Sequence, residues 1–278
     1  MILSYHPYIV AECNLRCAGR QPDAADAAAM AAADAVILNQ GCYESLYRMA
    51  TAQCALVFPN YDARFGFPGK IGQIQLFQYH GVLHPPTETF ERLYAYQSSK
   101  STGRSYPAVF KFDWGGEGET VFFLENDAGM AQCLSRAQAF EGSGQRGFLV
   151  QDYVPHGNRT LRVVVIHQQL IAYWRIQDNK DRFGTSVATG ARLDMTADPE
   201  RRETAVRRVK DLCKETGINL AGFDLLFDED GAHPEPYFIE INYFFGRRGL
   251  GGSENYYQML GAAVTEWLAS NGLAIRNG

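Results

Sequence analysis

The chain has 278 residues, 46% of them hydrophobic and 21% charged, with a formal net charge of -5. That length buries enough surface for a large core, and the composition excludes disordered and fibrous classes. The negative balance, with no Lys/Arg-rich run, also argues against a broad nucleic-acid footprint. Residues 24–38 are the longest apolar stretch near the start, but Asp26 and Asp34 interrupt it and alanine dominates it, so it does not read as a membrane span. Met1-Ile2-Leu3-Ser4 lacks the basic start and long apolar core of a cleavable signal, which makes the cytoplasm the expected compartment.

Six scattered cysteines lack the density of a disulfide framework, so reduced thiols are expected. Cys13 and Cys17 resemble the start of a radical-SAM cluster motif, yet the position of its third cysteine is Arg20, which removes a thiolate ligand. Two short apolar runs, residues 35–38 and 55–58, flank a helical stretch at 44–52, an order that implies a parallel sheet. A second helical pattern starts at Lys70 and stops at Gly81, and His84-Pro85-Pro86-Thr87 turns the chain into an extended connection.

From Tyr106 onward the texture changes. A strand at 108–111 runs into a glycine-rich loop, a second strand covers 121–124, and a helix covers 128–140. Strands at 147–154, 161–167 and 169–176 follow, the last two joined at His167-Gln168 as a hairpin or meander, so this half is expected to be largely antiparallel. A helix spans about 199–216, with Asp198 expected as N-cap, Pro199 at its first position and Val206, Val209, Leu212 and Cys213 inward. A strand pair at 220–227 and 237–241 precedes a last amphipathic helix opened by Ser253.

The chemistry concentrates on that strand pair. Strand alternation sends Glu240 and Asn242 to one face, and hairpin pairing would let Asp224 join them. Two carboxylates and an amide oxygen suit magnesium, whereas ordinary solvated strand charges are poorly placed among such apolar neighbours. Lys111 ends a strand and precedes Gly115, Gly116 and Gly118. Such glycines let a backbone approach polyphosphate, although the same pattern serves a plain hairpin, and neither the Rossmann nor the P-loop pattern is present. Gln151, Asp152, Tyr153 and Val154 end another strand, where main-chain groups could read an adenine edge or simply complete a core. Arg162 and Arg175 lie amid apolar neighbours and call for anionic partners, either phosphate or a structural carboxylate.

Taken in order, these motifs resemble the ATP-grasp superfamily, in the branch of glutathione synthetase and the RimK-type peptide ligases. The residues that carry the resemblance are Gly69-Lys70, Pro85-Pro86-Thr87, Val109-Phe110-Lys111 with its glycine loop, Gln151 to Val154, Leu161-Arg162, Gly222-Phe223-Asp224 and Glu240-Ile241-Asn242 followed by Gly246. The resemblance covers about residues 55–252 and is weak over the first fifty. It implies an α/β protein with a parallel βα domain at 1–94 and an ATP-grasp domain at 95–278, divided into a lid at about 95–152 and a larger subdomain at about 153–278. ATP would lie between two antiparallel sheets, with Lys70 and Lys111 at its phosphates and base side, Gly115 to Gly118 over the triphosphate and Gln151 to Val154 at adenine. Asp152 would meet the ribose. Asp224, Glu240 and Asn242 would hold Mg2+, with Mn2+ as an alternative. Arg162, Arg175 and Glu240 would be catalytic, Arg175 at the transferred phosphoryl group.

The implied activity is ATP-dependent ligation of a carboxylate to an amine through an acyl phosphate, on small-molecule or peptide substrates, without nucleic acid or membrane and with a homodimer as a candidate assembly. An ATP-grasp phosphotransferase and a nucleotide-binding module without catalysis are the alternatives. Where RimK-like relatives carry Arg and Asn after the hairpin, this chain has Phe183-Gly184-Thr185-Ser186. The acceptor site would be built by loops such as 183–191 and 246–252, the second with Arg247 and Arg248, and no sequence pattern records their shape.

Overall fold

The computed structural model describes residues 1–99, 104–116, 118–231 and 234–275. Its first sheet has the order β2-β1-β3-β4 and is built from β1 (Ile2–Ser4), β2 (Cys13–Asn14), β3 (Ala35–Ile37) and β4 (Val57–Phe58). All pairings in it are parallel, as the β-α-β order requires, with α1 (Ala24–Ala31) and α2 (Glu44–Gln53) as connections. A capping box between Asp23 and Asp26 opens α1. Asp26 is buried, and Arg20 pairs with it while Tyr5 donates to it at 2.8 Å. Arg20 thus has a structural partner in the turn before α1.

After a short helix, α3 (Asp62–Gly66), the chain enters α4 (Gly69–Tyr79). The entry is set by Asp113, whose Oδ1 accepts from the Ile71 amide at 2.7 Å. Gly69 has φ +71, and a Cβ there would stand 2.4 Å from that carboxylate, so this position requires glycine.

The second sheet, of order β5-β8-β6-β7, contains β5 (Thr87–Phe90), β6 (Ala108–Phe112), β7 (Val121–Leu124) and β8 (Phe148–Asp152), all antiparallel. The segment after Pro86, expected as an extended connection, is its edge strand, so this sheet takes a strand from before residue 95. Helices α5 (Leu93–Ser98) and α6 (Asp127–Gly142) cover one face over a core of Phe90, Phe110, Phe112 and Phe148. The opposite face, with Val109, Lys111 and Gln151, is turned to a cavity.

The third sheet has the order β11-β10-β9-β12-β13, with β9 (Arg159–Ile166), β10 (Gln169–Ile176), β11 (Arg192–Asp194), β12 (Leu220–Leu226) and β13 (Tyr237–Asn242), again antiparallel. One face packs on α4 and α7 (Pro199–Thr216) through Val163, Val165, Phe223 and Val209. Asp198 precedes α7 as expected, but it makes no side-chain cap; it sits at φ +44 and pairs with Arg159 instead. On the other face Val164, Ile166 and Leu220 pack against α8 (Ser253–Ser270) and the first sheet, whose Ile2, Ile37 and Phe58 share that core. The rest of this face, with Thr160, Arg162 and Asp224, is the floor of the cavity. No helix among the described residues is long and apolar enough to cross a membrane.

Candidate active site between the two antiparallel sheets

The cavity has a volume of about 800 Å3. Strand register writes its floor. Glu240 faces Asp224 across β13 and β12, Asp224 faces Arg162 across β12 and β9, and Arg162 faces Tyr173 across β9 and β10. Residues opposed in antiparallel strands share a face, so these four side chains form one row. Thr160 and Arg175, also directly opposed, lie in the neighbouring row.

Asp224 is the electrostatic centre of the floor. Arg162 donates to it through Nε at 2.7 Å and Nη2 at 2.6 Å, Arg175 pairs with Oδ1 at 2.9 Å, and Asn242 Nδ2 donates to Oδ2 at 3.1 Å. Burial pushes the Asp224 pKa up, but the two guanidinium groups outweigh it and hold the carboxyl below its ordinary value. Arg162 and Arg175 thus share one carboxylate of the fold, and both Asp224 oxygens are engaged. Glu240, opposite it, makes no ion pair within 4.0 Å among the described residues. Arg175 also reaches Thr160 Oγ1 at 3.0 Å, and Thr160 shares a 2.5 Å hydrogen bond with Thr185 of the segment above.

The roof carries the lysines. Lys111 Nζ donates to Gln151 Oε1 at 2.8 Å, and Gln151 Nε2 donates to Thr87 Oγ1 at 2.9 Å, which fixes the amide with its oxygen toward the lysine. Burial pushes the Lys111 pKa down to about 8; Glu240 works against that shift and Lys70 adds to it. Lys70 is buried in the first turn of α4 and donates to the carbonyls of Trp114 at 3.3 Å and Gly115 at 3.0 Å. Neither ammonium has a carboxylate within 4.0 Å among the described residues.

Gly116 and Gly118 line the cavity. Gly115 does not; it turns the loop at φ +83, where a Cβ would stand 2.4 Å from Thr120, and offers its carbonyl to Lys70. Gln151, Asp152, Tyr153 and Val154 all line the wall. The amides of Asp152 and Tyr153 are already bonded to the carbonyls of Pro86 at 2.9 Å and Pro107 at 3.4 Å, while the Val154 amide has no partner among the described residues.

Several lining residues went unread in the sequence. Thr160 and Tyr173 belong to the same strand faces as Arg162 and Arg175, two positions away, so strand alternation was the signal that could have found them. His156 was missed as well; it is buried, its Nδ1 lies 2.9 Å from the Val154 carbonyl, and burial lowers its pKa. Phe183 crosses to the roof and stacks on Phe123 of β7, ring centroids 5.2 Å apart, while Tyr153 meets Phe123 edge-on at 5.0 Å.

The sequence profile of the RimK-like ATP-grasp domain matches residues 71–259, more than half of the chain. Among solved structures, the RimK-domain ATP-grasp protein of Sphaerobacter thermophilus DSM 20745 superposes with a TM-score of 0.58 at 18% identity, over 83% of this chain and 81% of that one. The D-Ala:D-Ser ligase VanG of Enterococcus faecalis gives 0.62 at 16% identity, over 84% and 73%. The D-cycloserine synthetase DcsG gives 0.63 at 15% identity, over 96% and 99%. No functionally curated protein matches in sequence. At such identities the superpositions speak for the fold, and the family rests on the profile: the chain belongs to the RimK-like ATP-grasp family of ATP-dependent carboxylate–amine ligases.

Proposed function

We propose that the cavity binds Mg-ATP and activates a substrate carboxylate as an acyl phosphate, which an amine then attacks. The observation that carries this is the cavity itself, with Lys70 and Lys111 free of carboxylates above a floor whose arginines are held ready by Asp224. Two adjacent cations in a largely buried wall are costly without an anion, and a triphosphate supplies one. Lys70 and Lys111 neutralise its oxygens, and the amides around Gly116 and Gly118 cover it. Adenine recognition falls to the Val154 main chain and the aliphatic wall, because the two preceding amides are already used. Asp152 takes the ribose side.

For the metal, Glu240 and Asn242 fit best. Asn242 turns its Nδ2 toward Asp224 and so keeps Oδ1 as a donor, beside a Glu240 carboxylate without an ion pair. Hard oxygen donors of this kind suit Mg2+, and Mn2+ also. Asp224 contributes chiefly as the counter-ion of Arg162 and Arg175, reaching the metal only through an oxygen that Arg175 releases. When bound, the metal neutralises phosphate oxygens and holds the phosphates for in-line transfer.

A carboxylate oxygen of the acid attacks the γ-phosphorus, and the bond to the β–γ bridging oxygen breaks with ADP leaving. The amine nitrogen then attacks the acyl carbon, phosphate departs with the acyl–oxygen electron pair, and the nitrogen gives up one proton, which the departing phosphate can take. Arg175 is the group that steadies the transferred phosphoryl oxygens, with Arg162 holding Asp224 in place behind it. The chain therefore supplies positioning and charge and needs no covalent nucleophile. We place this reaction in the cytoplasm, a compartment suited to six cysteines that are all unpaired.

Hydroxylamine tests the reaction class. Offered in place of the amine, it captures an acyl phosphate as a hydroxamate, with ADP and hydroxamate in equal amounts across a screen of amino acids, short peptides and dicarboxylates. ADP with a stable phosphorylated product and no hydroxamate would assign the chain to the phosphotransferases instead.

A further inference from the structure

The segment from Phe183 to Thr189 lines the cavity above the floor, and its first threonine is placed from both sides. Phe183 anchors the segment on Phe123 of the roof, and Gly184 turns it at φ +93. Ser186 caps the short turn Val187–Thr189, its Oγ accepting from the Ala188 amide at 3.3 Å. Between these fixed points Thr185 is only 6% exposed, as is Thr160 on the floor, and both line the cavity. Their hydroxyl oxygens meet at 2.5 Å.

Counting protons gives this contact a direction. A hydroxyl has one proton to give and two lone pairs to receive with. Thr160 Oγ1 receives from Arg175 twice, from Nη2 at 3.0 Å and from Nε at 3.3 Å, so its own proton is turned away from the guanidinium. The acceptor within reach is Thr185 Oγ1. Thr185 therefore keeps its proton, and it has no other hydrogen-bond partner among the described residues. The chain runs from a fixed positive charge through two hydroxyls to a proton at the cavity wall, each link polarising the next. Asp224 holds the same guanidinium through Nη2, while Nη1 makes no hydrogen bond among the described residues.

We infer that Thr185 is a further catalytic residue, its hydroxyl donating to an oxygen of the phosphoryl group in transfer, and that Thr160 is the positioning residue that ties it to Arg175. The inference rests on the proposed reading only as far as phosphoryl transfer, which ligase and phosphotransferase share. Charge spreads over the phosphoryl oxygens during transfer, and a donor already aimed at them needs no reorganisation at that moment. Thr185 stands one hydroxyl away from the arginine assigned to those oxygens, so the Arg175 Nη1 edge and the Thr185 hydroxyl serve the same group.

Aluminium fluoride bound with Mg-ADP stands in for the phosphoryl group in transfer, so the donor is read without knowing the acid. Affinity for Mg-ADP is measured by calorimetry with and without aluminium fluoride in wild type, Thr185→Val, Thr185→Ser, Thr160→Val, Thr160→Ser and the double valine variant. Wild type should bind more tightly with the fluoride. Thr185→Val, or Thr185→Ala if the valine chain does not fold, should lose about ten- to a hundredfold of that tightening, the range of one hydrogen bond to a charged group. Mg-ADP alone should change by less than about twofold, and Thr185→Ser should recover the tightening to within about threefold. Thr160→Val should cost about three- to tenfold, Thr160→Ser should recover it, and in the Thr185→Val background the Thr160 change should add nothing. No tightening in wild type overturns the donor. So does an equal loss with and without fluoride in Thr185→Val, which marks a wall residue, and a Thr160→Val cost that persists in the double variant removes the relay. The ligase is judged apart, by hydroxamate: its formation beside an undiminished tightening in Thr185→Val leaves the ligase standing without this donor.

Discussion

Nucleotide binding to this enzyme should take up a proton near pH 8, through Lys111. Burial, with Lys70 beside it, sets the Lys111 pKa at about 8 against an ordinary 10.5, and its hydrogen-bond partner is the neutral oxygen of Gln151. A triphosphate in the cavity replaces that neutral surrounding with several negative charges and returns the pKa above its free value. A group whose pKa rises on binding favours the complex fully below the lower pKa and loses that advantage as pH climbs through it. Proton uptake per nucleotide should therefore be about 0.1 at pH 7, about 0.5 at pH 8 and about 0.9 at pH 9, with affinity falling by about fivefold from pH 8 to 9. The nucleotide's own phosphates are already ionised there. Calorimetry with Mg-AMPPNP in two buffers of different ionisation heat measures the uptake directly, and Lys111→Arg, charged throughout, should abolish it. Buffer-independent heats at pH 8, with one affinity at pH 8 and 9, would refute the placement of Lys111 against the phosphates. Without nucleotide a companion effect on stability is expected. Because the folded pKa is depressed, stability should rise with pH between about 8 and 10.5, where only the unfolded chain still holds the proton.

Four substitutions probe the rest of the site. Asp224→Asn leaves two buried guanidinium groups without their counter-charge and should cost about 3–5 kcal/mol in denaturant unfolding; a loss below about 1 kcal/mol would mean that the arginines are solvated. Glu240→Gln should lower turnover by about a hundredfold with a much smaller change in AMPPNP affinity, and unchanged turnover would remove it from the metal site. Phe183→Ala deletes the stack on Phe123 that joins floor segment to roof, so ADP should leave about two- to tenfold faster in stopped-flow, and an unaltered rate would make that stack incidental. Gly249→Ala forces a methyl to within 2.2 Å of the Tyr173 ring and should cost about 1–3 kcal/mol, read as a lowered Tm; a wild-type Tm would show that the loop is free to shift.

The site was legible where its geometry is local. Glu240 and Asn242 sit two apart on one strand, so the period of a strand placed them together, and the apolar runs on either side announced a hairpin that brought Asp224 opposite. The partner of Arg162 and Arg175 was not legible. It depends on β12 pairing with β9 across the whole excursion through β10, β11 and α7, and no local pattern records which strand returns beside which. The same distinction sorts the fold. The runs at β3 and β4 are apolar and were found, whereas β2 has only two residues and β5 reads Thr-Glu-Thr-Phe, an edge strand with two exposed positions and no alternation to detect. The left-handed Asp198 before α7 misled for a related reason. Its residue type and the following proline suit a cap, but the nearby Arg159 cation claims the carboxylate.

The order of charges along the cavity follows the groups that the proposed reaction brings together. Gln73 of α4 brackets the main chain of Ile241, accepting from its amide and donating to its carbonyl at 2.8 Å each, which ties the helix that carries Lys70 to β13. At the β10 side, Gly249 on Tyr173 sets Arg247 and Arg248. Between them Asp224 pairs with both Arg162 and Arg175. The sequence of groups is thus cations at one end, a Glu240–Asn242 pair able to hold a metal, a compensated arginine pair, and cations again. In the proposed reaction a triphosphate and a divalent metal answer the first two, and the phosphoryl group in transfer answers the arginine pair. The arginine pair is the hinge of the scheme, because Arg175 is held by one shared carboxylate and a hydroxyl, and an arriving phosphoryl group is a stronger anion than either. Arg162, bonded twice to Asp224, stays behind to keep that carboxylate from being left buried and unpaired.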